Sequence, residues 1–303
     1  MNSSTGLIHQ NIVPQMPKRV VILGAGGFIG SAFIDQLKKL QMNFLGILTK
    51  DIDLSEEGAD KHLVTLLKPE DAVVVLATFA GNNRMGSSDF IKNIRIGENI
   101  CNALIKVDCS QVVYFSSDAV YSWFHETISE KSCLGGSGLY SNMHSSREIM
   151  FQQTIRNSPL TIIRSTQIYG FSNTHNPYGP NRFSRSAVYD GKIALFGEGE
   201  EKRDFIAIED VVELLIQVLC YASHGIINFA TGESVTFREL AEMIKLISGP
   251  VSLEFHSRMQ PILHRNFDIT YLKSAFPSLN LKRLSQGLKE LFCSLDKLKV
   301  GAT

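Results

Sequence analysis

The stretch Lys18–Gly30, KRVVILGAGGFIG, decides the fold. It contains four consecutive apolar residues, Val20–Leu23, a run typical of a parallel strand that is buried on both faces. Three glycines follow at a spacing of three residues, Gly24, Gly27 and Gly30. Apolar residues then recur at helical spacing. The pattern predicts a strand, a glycine-rich turn and a helix in direct succession.

The predicted turn has the composition of a pyrophosphate-binding site. Gly24 permits the tight turn, Gly27 lets a phosphate approach the backbone, and Gly30 allows the helix to pack closely on the strand. Unpaired N–H groups at the start of the helix, around Phe28 and Ile29, add a partial positive charge. We therefore predict that these five residues bind a dinucleotide. The alternative is an ordinary turn between strand and helix that happens to be rich in glycine.

Four more apolar runs alternate with helical patterns along the next part of the chain, at Phe44–Leu48, Ala72–Ala77, Gln111–Phe115 and Leu160–Ile163. Doubly buried strands that alternate with helices indicate an α/β fold, in which a doubly wound parallel sheet has helices on both faces. Ligands of such sheets bind at the carboxyl ends of the strands. We therefore expect Leu76 and Ala77, which end one of these runs, to contact the dinucleotide.

The texture of the sequence changes after Gly170. The following segment is rich in Asn, Pro, Gly, Arg and aromatic residues and shows little periodicity. We predict a flexible leader over residues 1–17 and a dinucleotide-binding domain over residues 18–170, to which residues 206–228 return. Residues 171–205 and 229–303 then form a smaller C-terminal lobe that binds the substrate.

The composition argues against several classes of protein. The chain has 303 residues with 30 basic and 30 acidic side chains, so its bulk charge indicates neither a nucleic-acid partner nor a membrane surface. No apolar run is long enough to cross a bilayer. The five cysteines are scattered, with neither paired nor metal-ligand spacing. We therefore expect reduced thiols, no bound metal and a cytoplasmic location.

Taken together with the glycine turn, further motifs resemble the NAD-dependent epimerase/dehydratase family. These are the extended short-chain dehydrogenases/reductases that act mostly on nucleotide-activated sugars. The motifs stand in the family's order: GAGGFIG at Gly24–Gly30, Asp53 in DIDL, Asn93 in FIKN, SSDAVYS at Ser116–Ser122, Tyr140, RSTQIYG at Arg164–Gly170, and RDFIAIEDVV at Arg203–Val212. The resemblance implies a Rossmann domain, NAD or NADP as cofactor, a nucleotide-sugar substrate and a possible homodimer.

The resemblance assigns the catalytic roles to Ser117, Tyr140 and His144. Tyr140 stands where the family has the tyrosine that exchanges a proton with a sugar hydroxyl. Ser117 stands where a hydroxyl holds the reacting oxygen, with Ser116 as the fallback. The family has a lysine four residues after the tyrosine, which lowers the tyrosine pKa and holds the nicotinamide ribose. Here His144 replaces it, and an imidazole is only partly charged near neutral pH. His144 is either a weaker partner that also contacts the cofactor, as Tyr140 does, or a non-catalytic replacement.

Three further residues bear on the cofactor. Asp53 resembles the acidic residue that accepts a hydrogen bond from the adenine amine. A carboxylate at the end of the second strand would hold the ribose 2′-hydroxyl and repel a 2′-phosphate. The chain has Thr49 and Lys50 there instead. These two residues favour NADP over NAD, and NAD stays open.

The resemblance also implies which residues contact the substrate. Arg203 would pair its guanidinium with the diphosphate of a nucleotide sugar, with a bridge to the adjacent Asp204 as the alternative. Asn181 and Arg182, in the preceding segment, would add phosphate or sugar contacts. Asp118, next to the catalytic serine, would also face the substrate.

These residues predict an NAD(P)-dependent oxidoreductase or epimerase that transfers a hydride between nicotinamide and a nucleotide-activated sugar, with Tyr140 as acid and base. Dehydratases of the family usually have Asp-Glu after the catalytic hydroxyl, whereas Asp118 is followed by Ala119 here, so dehydration is disfavoured. The alternative is a dinucleotide-binding relative without turnover, with a regulatory or scaffold role. The replacement of the lysine by His144 suggests this alternative.

Overall fold

The computed structural model describes residues 7–79, 85–173 and 176–301, so residues 1–6 of the predicted leader lie outside the described part. The strands are β1 (Leu7–His9), β2 (Arg19–Leu23), β3 (Phe44–Ile47), β4 (Asp71–Val75), β5 (Gln111–Ser117), β6 (Leu160–Ser165), β7 (Gln167–Tyr169), β8 (Lys192–Phe196), β9 (Lys202–Arg203), β10 (Phe205–Ala207), β11 (Ser223–Phe229), β12 (Val235–Thr236) and β13 (Ser252–His256). The helices are α1 (Phe28–Lys39), α2 (Ala59–Leu66), α3 (Ser87–Lys106), α4 (Leu139–Thr154), α5 (Pro180–Asp190), α6 (Ile208–Cys220), α7 (Phe237–Ser248), α8 (Thr270–Ala275) and α9 (Leu284–Gly301).

A seven-stranded sheet forms the centre of the molecule, in the order β1-β11-β6-β5-β4-β2-β3. All neighbours from β11 to β3 are parallel, and strand order reverses between β4 and β3 across β2, as in a doubly wound sheet. Because β2 and β4 are apolar and flanked on both sides, their residues from Val20 and Ala72 onward are fully buried. The predicted fold class is confirmed.

Helices cover both faces of this sheet. On one face, Phe33 and Leu37 of α1 pack with the apolar side of α6, and α8 adds Leu272 to this cluster. On the other face α2, α3 and α4 supply residues such as Leu63, Ile100 and Phe151. These two apolar layers hold the helices against the sheet and so determine where the helix ends lie relative to the strand ends. Among the described residues no helix is both long and apolar enough to cross a membrane.

Strand β1 lies where the sequence analysis places a flexible leader. Leu7–His9 pairs antiparallel with β11 at the edge of the sheet. The His9 ring is hydrogen-bonded on both sides, through Nδ1 to the Ser223 hydroxyl at 2.9 Å and through Nε2 to the Ala275 carbonyl at 2.8 Å. The leader prediction therefore does not hold for these residues. Three residues are too short for a visible pattern, and their partner strand lies more than 200 positions away in the chain.

A second apolar core lies beside the sheet and is built from α5, α7, α9 and strands β8, β10 and β13. Helix α7 begins with a capping box, in which Thr236 accepts from the Glu239 N–H and Glu239 accepts from the Thr236 N–H, as the sequence indicates. Helix α5 lies in the segment that shows little periodicity. It starts with Pro180 in its first turn, a position where proline's missing N–H costs nothing.

Candidate active site

The glycine turn connects β2 to α1, and its three glycines have different surroundings. Gly24 has φ +94°, and a Cβ there would lie 2.7 Å from the Ala77 nitrogen. A Cβ on Gly30 would lie 2.5 Å from the Gly24 carbonyl oxygen. Gly27 has an ordinary extended backbone, and its Cβ would meet only the Gly24 oxygen at 3.4 Å. Packing of the protein itself therefore requires Gly24 and Gly30, whereas Gly27 keeps the adjoining cavity open.

The N-terminus of α1 opens into this cavity. Gly27 is the N-cap residue, so no side chain satisfies the first N–H groups of the helix. Phe28, Ile29 and Gly30 line the cavity together with Gly24 and Gly27. Unpaired N–H groups and the helix dipole suit this position to a phosphate. The residues present therefore fit the pyrophosphate of a dinucleotide.

Two adjoining cavities run along the carboxyl ends of β2, β4 and β5. The first has a volume of about 500 Å³ and extends from the glycine turn to Ser117, Tyr140 and His144. The second has a volume of about 420 Å³ and shares the glycine turn and Leu76 with the first. Both volumes lie in the range of small-molecule sites in proteins. Together they form one elongated cleft across the topological switch point of the sheet.

The second cavity brings Thr49, Asp53 and Ala77 together, whereas Lys50 is exposed and does not line it. Asp53 accepts hydrogen bonds from the Ser55 N–H and hydroxyl at 2.9 and 2.7 Å, and the hydroxyl bond above all lowers the pKa of its carboxyl. A cation that the sequence analysis missed, Lys92, also lines this cavity. The signal was present, because Lys92 directly precedes Asn93 in the FIKN motif.

Ser117 and Tyr140 meet at the far end of the first cavity. The Ser117 Oγ accepts from the Ala119 N–H at 3.2 Å and lies 3.4 Å from the Asp118 carboxylate. Tyr140 lines the cavity and is 46% exposed overall, but its hydroxyl lies at the more buried end of the side chain. Burial there raises the pKa of Tyr140, and a hydrogen bond with Ser117 opposes the rise. Without a ligand, Tyr140 is therefore a protonated phenol at neutral pH.

The adjacent residue, Ser116, also lines the cavity, but its hydroxyl is engaged by a buried carboxylate. Its Oγ donates to a carboxylate oxygen of Glu148 at 2.6 Å, and Glu148 also receives two hydrogen bonds from Arg164, the shorter at 2.6 Å. This group is buried. Of the two candidate serines, only Ser117 therefore has a hydroxyl available to a substrate.

His144 lies under Tyr140, with the two rings edge to face and their centroids 4.7 Å apart. Its Nδ1 is hydrogen-bonded to the Tyr114 hydroxyl at 2.8 Å, and its buried Nε2 has no partner in the described part of the chain. Burial, reinforced by the positive charge of Arg147, lowers the pKa of His144 to about 3. The expectation that this imidazole is partly charged near neutral pH is therefore wrong, because the site is too deeply buried to hold the extra proton.

A third, smaller cavity of about 150 Å³ lies beyond Asp118 and is lined by Trp123, Arg203 and Arg265. Both guanidinium groups lie over the indole ring, Arg265 at 3.9 Å and Arg203 at 5.6 Å from its centroid. Arg203 donates to the carbonyls of Lys202 and Leu263.

Arg203 does not bridge the adjacent Asp204, because that carboxylate is taken up by other donors. Asp204 accepts from Thr231, from the Gly232 N–H and from the Thr166 hydroxyl. The alternative role proposed for Arg203 is therefore not observed, and Arg203 faces the cavity.

Trp123 and Arg265 were not predicted from the sequence. Arg265 donates to the carbonyls of Asp118 and Tyr121, which attaches the C-terminal part of the chain to the loop after β5. Burial raises the pKa of Asp118, while Arg265 and Arg203 oppose this rise. The two arginines are therefore close enough to the Asp118 carboxyl, in the loop after β5, to affect its charge.

Two predicted substrate residues lie elsewhere. Asn181 is 1% exposed, and its side chain is hydrogen-bonded to both the N–H and the carbonyl of Gly170. Arg182 is exposed and lies over the Tyr178 ring at 5.9 Å. Neither lines the three cavities described above. The structure therefore does not bring them to the site, because α5 directs one into the core and the other to the surface.

Comparison with known proteins agrees with this geometry. The profile of the NAD dependent epimerase/dehydratase family matches residues 20–230. A UDP-N-acetyl-alpha-D-glucosaminuronate decarboxylase from Bacillus cytotoxicus is 26% identical over 91% of this chain and 97% of its own. A GDP-L-fucose synthetase from Naegleria fowleri bound to NADP superposes with a TM-score of 0.82, 17% identity and coverage of 100% of this chain and 99% of its own. MoeE5 in complex with UDP-glucose and NAD superposes with a TM-score of 0.79, 20% identity and coverage of 94% and 100%. The resemblance seen in the sequence is confirmed, and the chain belongs to the NAD-dependent epimerase/dehydratase family.

Proposed function

We propose that the protein is an NAD(P)-dependent oxidoreductase or epimerase that acts on a nucleotide-activated sugar, with Tyr140 as the acid and base. The observation that carries this proposal is the continuous cleft that joins the glycine turn to Ser117 and Tyr140. A nicotinamide bound in it would supply the hydride acceptor or donor. Two similar proteins are named as enzymes of nucleotide sugars, and a similar structure is in complex with UDP-glucose. These names support a nucleotide-activated sugar as the substrate.

The residues of the chain divide the work along the cleft. The start of α1 holds the pyrophosphate, and the second cavity takes the adenosine, with Asp53 and Lys92 in its wall. At the other end Ser117 orients the reacting oxygen of the sugar, and Tyr140 transfers the proton to or from it. Since the pKa of Tyr140 is raised, it is poised to donate its proton, which favours reduction of a keto-sugar as the direction that starts from the resting enzyme.

The cofactor that best fits this cleft is NADP. Thr49 lines the adenosine cavity where a carboxylate would repel a 2′-phosphate, and Lys92 adds a positive charge to the same wall. Asp53 is an acidic exception, but its carboxylate already accepts two hydrogen bonds from Ser55. The neighbouring structures contain NADP in one case and NAD in another, so they do not choose between the two.

The third cavity is proposed to take the diphosphate of the substrate. Arg203 and Arg265 present two guanidinium groups over the Trp123 ring, in the cavity next to Asp118. Guanidinium groups bind phosphate through paired charge-assisted hydrogen bonds, and an indole offers a flat surface to a base or sugar.

A homodimer is a further proposal. Helices α3 and α4 pack side by side and expose Ile91, Ile105 and Ile149. A second copy would remove these side chains from water. Sedimentation velocity would detect the dimer, and a concentration-independent monomer would refute it.

The test of the function is a single-turnover measurement of nicotinamide absorbance with UDP-, GDP- and dTDP-linked sugars and their keto forms, in both directions. The wild type should oxidise or reduce at least one member of the panel. Tyr140→Phe should lose most of the rate constant and keep its dinucleotide affinity. A folded wild type that binds the dinucleotide and transfers no hydride to any member would favour the alternative, a dinucleotide-binding protein without turnover. The lowered pKa of His144 supports this alternative, because a neutral imidazole does not supply the positive charge of the family's lysine.

A further inference from the structure

A buried polar cluster of Tyr114, His144 and Arg147 lies directly behind the proton-transfer residue. Tyr114 and Arg147 are fully buried and His144 is 3% exposed. Only His144 lines the first cavity. Its Nδ1 is bonded to Tyr114 in the core, whereas its Nε2 is buried and has no hydrogen-bond partner among the described residues.

The hydrogen bond between Tyr114 and His144 fixes the tautomer of the imidazole. If Tyr114 donates to Nδ1, the ring carries its proton on Nε2, and that N–H is the single group left without a partner. If instead Nδ1–H donates to Tyr114, the phenolic hydrogen and the Nε2 lone pair are both left without partners among the described residues. A buried polar group without a hydrogen-bond partner is costly, so the arrangement with fewer such groups is the more stable one. The first arrangement is therefore preferred.

Arg147 keeps the imidazole in this neutral state. Its guanidinium lies over the Tyr114 ring at 5.1 Å from the centroid and donates through Nη1 to the Ala77 carbonyl at 2.9 Å. Its Nε and Nη2 have no partner within residues 7–79, 85–173 and 176–301. The nearest acidic neighbour on α4, Glu148, is already bonded to Ser116 and Arg164. The positive charge of Arg147 adds to burial in lowering the pKa of His144, and it opposes the rise that burial causes in the pKa of Tyr114. It therefore disfavours imidazolium and strengthens Tyr114 as a donor.

We propose that Tyr114 and Arg147 are positioning residues that hold His144 as a neutral imidazole with its proton on Nε2, the nitrogen left free to donate to a ribose hydroxyl oxygen of a dinucleotide in the cavity that His144 lines. The identity of the acceptor rests on the proposed function, whereas the tautomer and the neutral state do not. The titratable and charged groups that face His144 are Tyr114 from β5 and Tyr140 and Arg147 from its own helix. Burial raises the pKa of both Tyr114 and Tyr140, so these phenols stay uncharged through neutral pH and the donor is constant there.

The test uses the full chain with ¹⁵N-labelled histidine, and the signal of His144 is assigned by its loss in His144→Gln. In the wild type we expect the Nε2–H tautomer and no titration between about pH 5 and 9. Addition of NADPH or NADH should shift the Nε2 signal. Tyr114→Phe should mix the tautomers and weaken dinucleotide binding about 2- to 10-fold, the range expected for one hydrogen bond. An Nδ1–H tautomer in the wild type would overturn the proposal.

Arg147 is tested by a pair of variants. Arg147→Met removes the charge and should raise the pKa of His144, so that the affinity for the dinucleotide becomes dependent on pH; Arg147→Lys should keep the wild-type profile. Replacement of a buried, unpaired charge by an apolar side chain of similar length is compatible with folding. An unchanged imidazole pKa in folded Arg147→Met would contradict the assigned role. If the tautomer is as stated but no sugar is turned over, the proposed function fails and the positioning role stands.

Discussion

Replacement of Gly27 by valine separates the binding role of the glycine turn from its structural role. The residue is the N-cap of α1, with φ −75° and ψ 172°, a conformation open to any amino acid. Its Cβ would make one ordinary contact with the protein, at 3.4 Å. Valine is a poorer N-cap than glycine by about 0.5–1 kcal/mol. The loss of flexibility in the unfolded chain offsets this by about 0.4–1 kcal/mol. Gly27→Val should therefore unfold within a few degrees of the wild type.

The effect on the dinucleotide should be much larger. The valine side chain would stand in the cavity at the N–H groups of α1, where the pyrophosphate is proposed to lie. Loss of one charge-assisted hydrogen bond costs about 1.5–3 kcal/mol, which corresponds to an increase in Kd of about 10- to 150-fold. Titration calorimetry with NADPH and NADH measures the change directly, and a thermal scan of the same sample shows that the variant is folded.

Gly86→Val is the matched control. Gly86 is the N-cap of α3, with nearly the same backbone angles, φ −86° and ψ 174°, and its Cβ would meet only the Asp89 side chain at 3.7 Å. It does not line the three cavities of the site. The same chemical change there should leave the affinity for dinucleotide unaltered. Equal affinities in wild type and folded Gly27→Val, or equal losses in both variants, would refute the placement of the pyrophosphate.

Four other outcomes follow from the site. The wild type should bind NADPH more tightly than NADH, and Thr49→Asp should reduce or reverse the preference by repelling the 2′-phosphate; a wild-type preference for NADH in calorimetry would show that Thr49 does not set it. Arg203→Ala should raise KM for a nucleotide sugar about tenfold or more and leave dinucleotide Kd unchanged, because it removes a charge-assisted contact to one ligand. Loss of dinucleotide binding in this variant would show that Arg203 does not belong to the substrate site. Because the pKa of Tyr140 is raised, the rate of reduction should stay flat through neutral pH and fall only in alkaline solution as the phenol loses its proton, and an acidic limb in the pH profile would contradict this. His144→Lys should lower the melting temperature and not raise the rate above that of the wild type, since it adds a second cation beside buried Arg147; a faster enzyme would show that the site accommodates the charge.

The sheet and the glycine turn were predictable because their signals are local. Four apolar residues followed by Gly24, Gly27 and Gly30 specify a strand, a turn and a helix within one short stretch, and the structure forms them there. Contacts between distant parts of the chain left no such signal. Arg265 reaches the carbonyl of Asp118 across 147 positions, and nothing in the sequence around Arg265 indicates that partner. The lining of the third cavity was therefore only half predicted, with Arg203 found and Arg265 missed.

The charge state of His144 shows why a residue's type and spacing do not fix its chemistry. Spacing correctly brought His144 under Tyr140, since residues four apart share one face of a helix. The pKa depends instead on the depth of that face and on Arg147, which lies one turn further along α4. Burial and a nearby positive charge both disfavour imidazolium. His144 is therefore a neutral group and not the partly charged one that the sequence predicts.

The polar side chains of strand β5 have two different kinds of partner, and this difference separates structural from chemical roles. Tyr114 and Ser116 are two residues apart and point to the same face, where they meet His144 and Glu148, which are four residues apart on α4. Ser117, the last residue of the strand, lines the cleft and is hydrogen-bonded to Tyr140. The buried hydroxyls of Tyr114 and Ser116 thus attach α4 to the sheet at two points. Since Tyr140 lies one turn before His144 on this helix, these anchors hold the phenol of Tyr140 opposite the Ser117 hydroxyl.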